Sequence, residues 1–293
     1  MSTVIDGKLV AAEMRGGIAE AAKELFQRKG VRPGLGVLLV GDDPASQSYV
    51  VAKEKACHEV GFFSDNQKLP ATISQTELNA RIEAMNVDPR IHGILVQLPL
   101  PRHLDAEAVL NVISPDKDVD GFTPLNVGRM MTGQRAFVPC TPNGVIELLL
   151  RANVKTDGAH VVIVGRSNIV GRPLAYLLSR KSPGGNATVT MCHTGTRDLK
   201  RHTLQADILV AAAGMPDTIL PGMVKENAVV IDVGVNRVAD ASRASGFRLV
   251  GDVNAAALDV AKMHTPVPGG VGPMTIAMLL QNTLQSAKQF AGE

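Results

Sequence analysis

Between Lys8 and Gly30 the apolar residues Leu9, Ala12, Ile18, Ala22 and Leu25 recur at helical spacing, and Gly30 stands where such a helix stops. Leu35 to Val40 is a short apolar run of the kind that forms a buried strand. A helix is expected from Pro44 to Val60, then a weaker strand from Phe62 to Leu69. Ser74 to Asn86 reads as a helix with Ser74 as N-cap and Glu77 completing a capping box. His92 to Gln97 is the next strand. This β-α-β-α-β alternation predicts a parallel sheet covered by helices.

Patterning fades between Ile113 and Thr141, where Pro115, Gly121, Pro124, Gly128, Gly133 and Pro139 interrupt it, as in a linker or functional loop system. Thr141-Pro142 has the form of an N-cap with Pro at N1, opening a helix through Leu150. A second α/β series follows: strands His160 to Val164, Ala187 to Cys192, Asp207 to Ala213 and Ala228 to Val233, with a helix from Gly171. Pro273 to Phe290 reads as one long amphipathic helix. A length of 293 residues suits two such domains.

Composition removes several function classes. Lys plus Arg number 30 against 28 for Asp plus Glu, so no charged face draws in a polyanion. Aromatic residues make up 3% of the chain, too few for a single-strand nucleic-acid platform. Cys57, Cys140 and Cys192 are dispersed and odd in number, which favours a reducing compartment over a disulfide framework or zinc cluster. Without a leader pattern or a run of about 18 apolar residues, the reading is a cytoplasmic protein with no membrane partner.

Strand Val161 to Val164 runs into Gly165-Arg166-Ser167-Asn168-Ile169-Val170-Gly171 and a helix, the context in which backbone N-H groups meet a pyrophosphate. The spacing is not G-x-G-x-x-G, because Ser167 replaces the second glycine and Gly171 comes one residue late. An NAD site usually ends its second strand with an acidic residue for the ribose hydroxyls. Here that strand ends Met191-Cys192-His193-Thr194, and Arg166, His193, Thr194 and Arg197 suit a 2'-phosphate, so NADP is favoured.

Tyr49 and Lys53, at i and i+4, share one helix face, and a lysine in a partly apolar cleft becomes a usable proton carrier. Short-chain dehydrogenases also use Tyr-x-x-x-Lys, but after their glycine loop rather than a hundred residues before it. Gln97 closes a strand and should project from the carboxyl end of the sheet, where ligands bind. Asp116, Asp118 and Asp120 alternate without the Glu of a calcium loop, so no metal is assigned. Thr265 to Thr275 combines prolines and glycines before a helix, as a ligand-facing turn does.

Together, Tyr49-x-x-x-Lys53, Val96-Gln97-Leu98-Pro99-Leu100-Pro101, Pro115-x-Lys117-Asp118-Val119-Asp120-Gly121, Pro139-Cys140-Thr141-Pro142, Gly165-Arg166-Ser167 and Pro266-Val267-Pro268-Gly269-Gly270-Val271-Gly272-Pro273 occur in order. The series resembles the bifunctional methylenetetrahydrofolate dehydrogenase/methenyltetrahydrofolate cyclohydrolase family over nearly the whole chain. The resemblance implies an α/β fold of two domains: a folate-binding catalytic domain (1–141 plus 275–293, the C-terminal helix returning to it) and a Rossmann-like NADP domain (142–274), usually in a homodimer. It implies tetrahydrofolate derivatives as substrates, bound in a cleft between the domains. Lys53 would be the central catalytic group, Tyr49 would orient the folate, Gln97 would position the lysine and Asp120 would bind the pterin. Leu98, Pro99 and Pro268, Gly269, Gly270, Val271 and Gly272 would line the substrate side. Gly165, Arg166, Ser167, Thr194, Val235 and Thr141 would face NADP. Thr194 stands where Ser is frequent, and Lys181 to Asn186 is longer than usual between helix and strand.

A dehydrogenase without the hydrolytic step, or an NAD-preferring variant, would share these residues. A non-catalytic dinucleotide-binding regulator of the same fold would have no reason to retain Tyr49, Lys53, Gln97 and Asp120 together.

Overall fold

The structure is a computed structural model that describes residues 2–243 and 246–293. Met1, assigned above to the first domain, and Ala244 and Ser245, assigned to the second, lie outside the described residues. In chain order the elements begin with β1 (Thr3–Val4), α1 (Gly7–Lys29), β2 (Gly34–Val40), α2 (Pro44–Glu59), β3 (Phe63–Leu69), α3 (Gln75–Val87) and β4 (Gly93–Val96). Next come α4 (Ala106–Val112), α5 (Pro124–Met131), α6 (Cys140–Arg151), β5 (His160–Val164), α7 (Gly171–Ser179), β6 (Thr188–Cys192) and α8 (Leu199–Thr203). The chain finishes with β7 (Ile208–Ala211), β8 (Val229–Asp232), β9 (Asn236–Ala239), β10 (Phe247–Val250), β11 (Met263–His264) and α9 (Val271–Phe290).

These elements form two compact units. One comprises Ala12–Cys140 and Ile276–Glu293; the other comprises the chain up to Ala11 together with Thr141–Thr275. In the first, a parallel sheet of order β3-β2-β4 is built around β2, buried along its whole length. Successive side chains of a strand point to opposite faces, so the run feeds two cores. Leu35, Val37 and Leu39 join Ile18, Leu25, Cys57, Phe62, Leu279 and Leu284, while Leu38 and Val40 join Leu78, Ile82, Met85 and Val109. Each fully buried leucine contributes about 2 kcal/mol of transfer free energy. The capping box at α3 is present in both directions, between Ser74 and Glu77.

The other unit holds a six-stranded parallel sheet of order β1-β11-β8-β7-β5-β6, with the antiparallel pair β9-β10 beside it. Within the run β5 to β11, the chain goes from β5 outward to β6 and then returns past β5 to β7. The junction between β5 and β7 is therefore the topological switch point, where open α/β sheets bind ligands.

Several expectations change. Residues up to Ala11 belong to the six-stranded unit rather than to the N-terminal domain, because Thr3 and Ile5 N-H groups donate to Lys262 and His264 carbonyls on the open edge of β11. Helix α6 starts at Cys140, so Thr141 lies inside its first turn instead of capping it. Proline lacks only an N-H that the first turn leaves unused, so Pro142 is accommodated there. The supposedly irregular stretch contains α5, capped by Thr123 with Pro124 in its first turn. No helix among the described residues is long and apolar enough to cross a membrane.

Candidate active site

Helix α2 starts where the Asp43 carboxylate accepts the Ser46 N-H, and carries Tyr49 and Lys53 one turn apart. Tyr49 is 40% exposed, whereas Lys53 is only 8% exposed. The Lys53 Nζ donates to Gln97 Oε1 at 2.8 Å. Gln97 follows β4, its backbone N-H donating to the Leu38 carbonyl and its Nε2 to the Leu98 carbonyl. Its amide is therefore oriented with oxygen towards the lysine. Leu98 is half-buried and Pro99 exposed beyond it, joined by a cis peptide bond.

Burial pushes the Lys53 ammonium below its ordinary range, against the opposing pull of the Asp120 carboxylate. Burial pushes Asp120 up, and Lys53 opposes that shift in turn. Gln97 is neutral, so it fixes Nζ without pinning the charge.

The loop carrying Asp120 is held by its neighbour. Asp118 is 1% exposed, and its two carboxylate oxygens accept the N-H groups of Gly121, Phe122 and Thr123, the Thr123 hydroxyl and the Asn126 amide. Lys117 does not pair with either flanking acid; its Nζ donates to the Met85 and Asp88 carbonyls at the end of α3. The Cys140 thiol donates to the Val119 carbonyl at 3.3 Å and is electrostatically coupled to Asp120. Burial raises that thiol well above its usual range, so it stays neutral. Asn282 on α9 ties this region together, its Nδ2 donating to the Val119 and Val138 carbonyls. The Pro139 and Pro142 flanking Cys140 were the sequence signal for it; Asn282 left none.

The other unit gathers the glycine-loop residues. Gly165 follows β5 with φ of 140°, and a Cβ there would stand 2.1 Å from the Ala212 carbonyl oxygen after β7. A Cβ on Gly171 would meet the Gly165 carbonyl at 2.3 Å. Only glycine fits at both places. Ser167 Oγ accepts the Val170 and Gly171 N-H groups at the start of α7, while Val170 supplies no side-chain cap. Arg166 and Ser167 are exposed.

After β6, the His193 N-H donates to Thr196 Oγ1 and the Gly195 N-H to His193 Nδ1, a tight turn that leaves Thr194 and Arg197 exposed. No acidic residue occurs from Cys192 to Arg197. The glycine cradle at the start of α7 and the Arg197-bearing turn after β6 fit a dinucleotide bearing a 2'-phosphate. Val235, 42% exposed, follows β8. Thr141 Oγ1 is paired with Thr275 Oγ1 at 2.9 Å. In the turn before α9, Pro268 is exposed and Gly269 and Gly270 are buried; at the start of α9, Val271 is buried and Gly272 half-buried. Among the described residues, no group of three or more His, Cys, Asp or Glu is placed to hold a metal ion.

A parallel sheet with a glycine loop at its switch point, and a buried lysine beside a carboxylate in a second α/β unit, define a dinucleotide-using α/β protein. The family profile "Tetrahydrofolate dehydrogenase/cyclohydrolase, catalytic domain" matches residues 5–120, and its "NAD(P)-binding domain" counterpart matches residues 139–291. The chain belongs to the tetrahydrofolate dehydrogenase/cyclohydrolase family. It is 55% identical over 291 residues to "Bifunctional protein FolD" of Geotalea uraniireducens, covering 99% of this chain and 100% of that one. The bifunctional FolD structure from Campylobacter jejuni superposes with a TM-score of 0.92 at 47% identity, covering 99% of both chains. The Trypanosoma brucei dehydrogenase-cyclohydrolase, solved with NADP and an inhibitor, superposes at 0.93 with 42% identity over 98% of both.

Proposed function

We infer that this protein oxidises 5,10-methylenetetrahydrofolate to the methenyl form with NADP+ and then hydrolyses the product to 10-formyltetrahydrofolate. The observation that carries the reading is the buried Lys53 ammonium, held by a neutral carbonyl 2.8 Å away and electrostatically coupled to Asp120. Membership of the family and 55% identity to a bifunctional relative support both steps.

In the first step the one-carbon bridge loses a hydride and becomes a cation shared by two folate nitrogens. NADP+, when bound, supplies the hydride acceptor. The protein's task is alignment. Asp120 accepts hydrogen bonds from the pterin amino group and adjacent ring nitrogen, Tyr49 packs on the folate, and Leu98, Pro99 and Pro268 to Gly272 bound the substrate. Gly165 and Ser167 hold the pyrophosphate side, with Arg166 and Thr194 suited to the 2'-phosphate and Val235 and Thr141 to the rest of the dinucleotide.

In the second step water adds to the methenyl carbon and loses a proton. One carbon–nitrogen bond then breaks as its nitrogen gains a proton and the new hydroxyl gives its proton to water, leaving the formyl group on the other nitrogen. Lys53 as amine takes the first proton at Nζ and as ammonium returns one to the departing nitrogen. Burial lowers its pKa, so the amine is reached more readily than in an exposed lysine. Gln97 Oε1 keeps Nζ in place through the cycle.

A homodimer belongs to the same reading. Strand β3 is an edge of its sheet, and that open ladder is a surface on which a second copy can pair. Cytoplasmic residence is supported by three free, buried thiols.

The test follows NADPH formation and methenyl decay together in purified protein given methylenetetrahydrofolate. Both signals are expected with NADP+, and weaker ones with NAD+. Absence of NADPH formation overturns the reading; NADPH formation with a persistent methenyl product reduces it to the dehydrogenase step.

A further inference from the structure

The six-stranded unit buries two carboxylates outside the residues assigned above. Asp232 ends β8 and is 5% exposed; Asp252 follows β10 and is 0% exposed. Among the described residues, neither takes part in a salt bridge within 4.0 Å. Their oxygens accept backbone N-H groups and one side-chain amide, an arrangement whose burial is costly unless the donors are held in one geometry.

Those donors come from loops at the carboxyl end of the sheet. Asp252 Oδ2 accepts the Ala213 and Gly214 N-H groups at 2.7 and 2.9 Å, from the loop after β7. Its Oδ1 accepts Asn236 Nδ2 at 2.9 Å, from the first residue of β9 at the end of the loop after β8, and the same Nδ2 reaches the Gly251 carbonyl at 3.2 Å. Asp232 Oδ1 accepts the Gly234 and Asp252 N-H groups at 3.0 and 2.9 Å, and its Oδ2 accepts that of Val253 at 2.9 Å. Glycines seal the contact, because a Cβ on Gly234 would stand 2.1 Å from Asp252 Oδ1, and one on Gly251 would stand 1.8 Å from Asp232 Oδ2.

The network reaches further at both ends. Ala212, next to the Ala213 donor, is the residue against which Gly165 of the phosphate loop packs. The Asp232 N-H donates to Thr265 Oγ1 at 2.8 Å, and Thr265 supports Gly270 of the turn before α9, whose Cβ would lie 2.7 Å from its own.

We propose that Asp252, oriented by Asp232, is the positioning residue that holds the 212–214 and 234–236 loops in their nucleotide-binding geometry. The inference rests on the reading of this unit as the NADP-binding unit. Asp252 acts through Ala213, Gly214 and Asn236, leaving those loops and Val235 to meet the dinucleotide. An amide at position 252 keeps the shape but turns one acceptor into a donor aimed either at Ala213 and Gly214 or at Asn236.

The experiment measures NADP+-dependent dehydrogenase activity, hydrolysis of supplied methenyltetrahydrofolate and calorimetric NADP+ affinity in wild type, Asp252→Asn and Asn236→Ala. For Asp252→Asn the KM for NADP+ should rise and the dehydrogenase-to-cyclohydrolase ratio fall at least about tenfold. Asn236→Ala removes a donor from a half-buried loop and stays measurable if Asp252→Asn fails to fold; its NADP+ affinity should fall about three- to tenfold. Parallel loss of both activities with unchanged NADP+ affinity in the folded variants overturns the proposal, as do unchanged ratios. A wild type that binds NADP+ yet forms no NADPH refutes the dehydrogenase reading alone, and the affinity changes still decide the positioning role.

Discussion

Both units bury ionisable groups, and they use them in opposite ways. Among the described residues Lys53 has one hydrogen-bond partner, a neutral amide oxygen, and lies beside a carboxylate whose pKa is itself displaced by burial. Asp232 and Asp252 accept mainly backbone N-H groups, which cannot move without opening the loops that carry them. A charge held by a single neutral side chain can exchange its proton without moving the chain; a carboxylate saturated by main-chain donors ties its protonation to the loops it holds. The same contrast is repeated two residues apart, between Asp120 beside Lys53 and Asp118 under its five donors.

The sharpest way to break the comparison is to treat those neighbours alike. Asp120→Asn should lower folate affinity and reduce both activities together by about a hundredfold while the melting temperature holds, since one acceptor of the pterin pair becomes a donor. Asp118→Ala should instead destabilise its unit by about 3 kcal/mol, read from denaturant unfolding, because five donors lose their acceptor. Equal effects of the two substitutions on stability would erase the distinction.

Part of this was legible in sequence. The capping box at Ser74, the uniform burial of β2 and the passage from β5 through Gly165 to α7 are local signals, complete within a few residues. Thr123-Pro124 carries the same start signal as Thr141-Pro142, but the surrounding prolines and glycines hid an eight-residue helix. The pairing of β1 with β11, the bonds from Asn282 to Val119 and Val138, and the Asp232–Asp252 network join residues far apart in the chain. Such contacts leave no periodic trace. Lys53 was legible as a candidate because Tyr49 and Gln97 lie in recognisable motifs, whereas Cys140 beside Asp120 depends on tertiary packing.

A smaller effect separates cofactor specificity from the scaffold beneath it. Arg166→Ala should lower the NADP+-over-NAD+ preference in kcat/KM by about tenfold, leaving NAD+ values nearly unchanged, because it removes a charged contact to the 2'-phosphate alone. An unchanged ratio would place phosphate selection elsewhere.

The smallest expected effect concerns pH. Burial, followed by the Asp252 charge, raises Asp232 to about 6. A folded-state value above the unfolded one means that folding takes up a proton, so this group's stabilisation is complete below about pH 4 and is lost as pH rises through 6. Asp252 is the charged neighbour, with Gly234, Val253 and Thr265 the other groups bonded to residue 232. Between pH 7 and pH 5, wild type should gain about 1 kcal/mol relative to Asp232→Asn in paired denaturant melts. A constant difference would remove the buried charge from the account.

The most direct test of the central contrast is a single turnover of Lys53→Met with methylenetetrahydrofolate and NADP+, following NADPH and the methenyl product in the same cuvette. The substitution keeps much of the stem and removes the proton carrier while leaving the nucleotide unit untouched. NADPH and methenyltetrahydrofolate should accumulate in equal amounts, with methenyl decay slowed about a thousandfold relative to wild type. Decay of the methenyl product at the wild-type rate in the folded variant would contradict the assignment of Lys53.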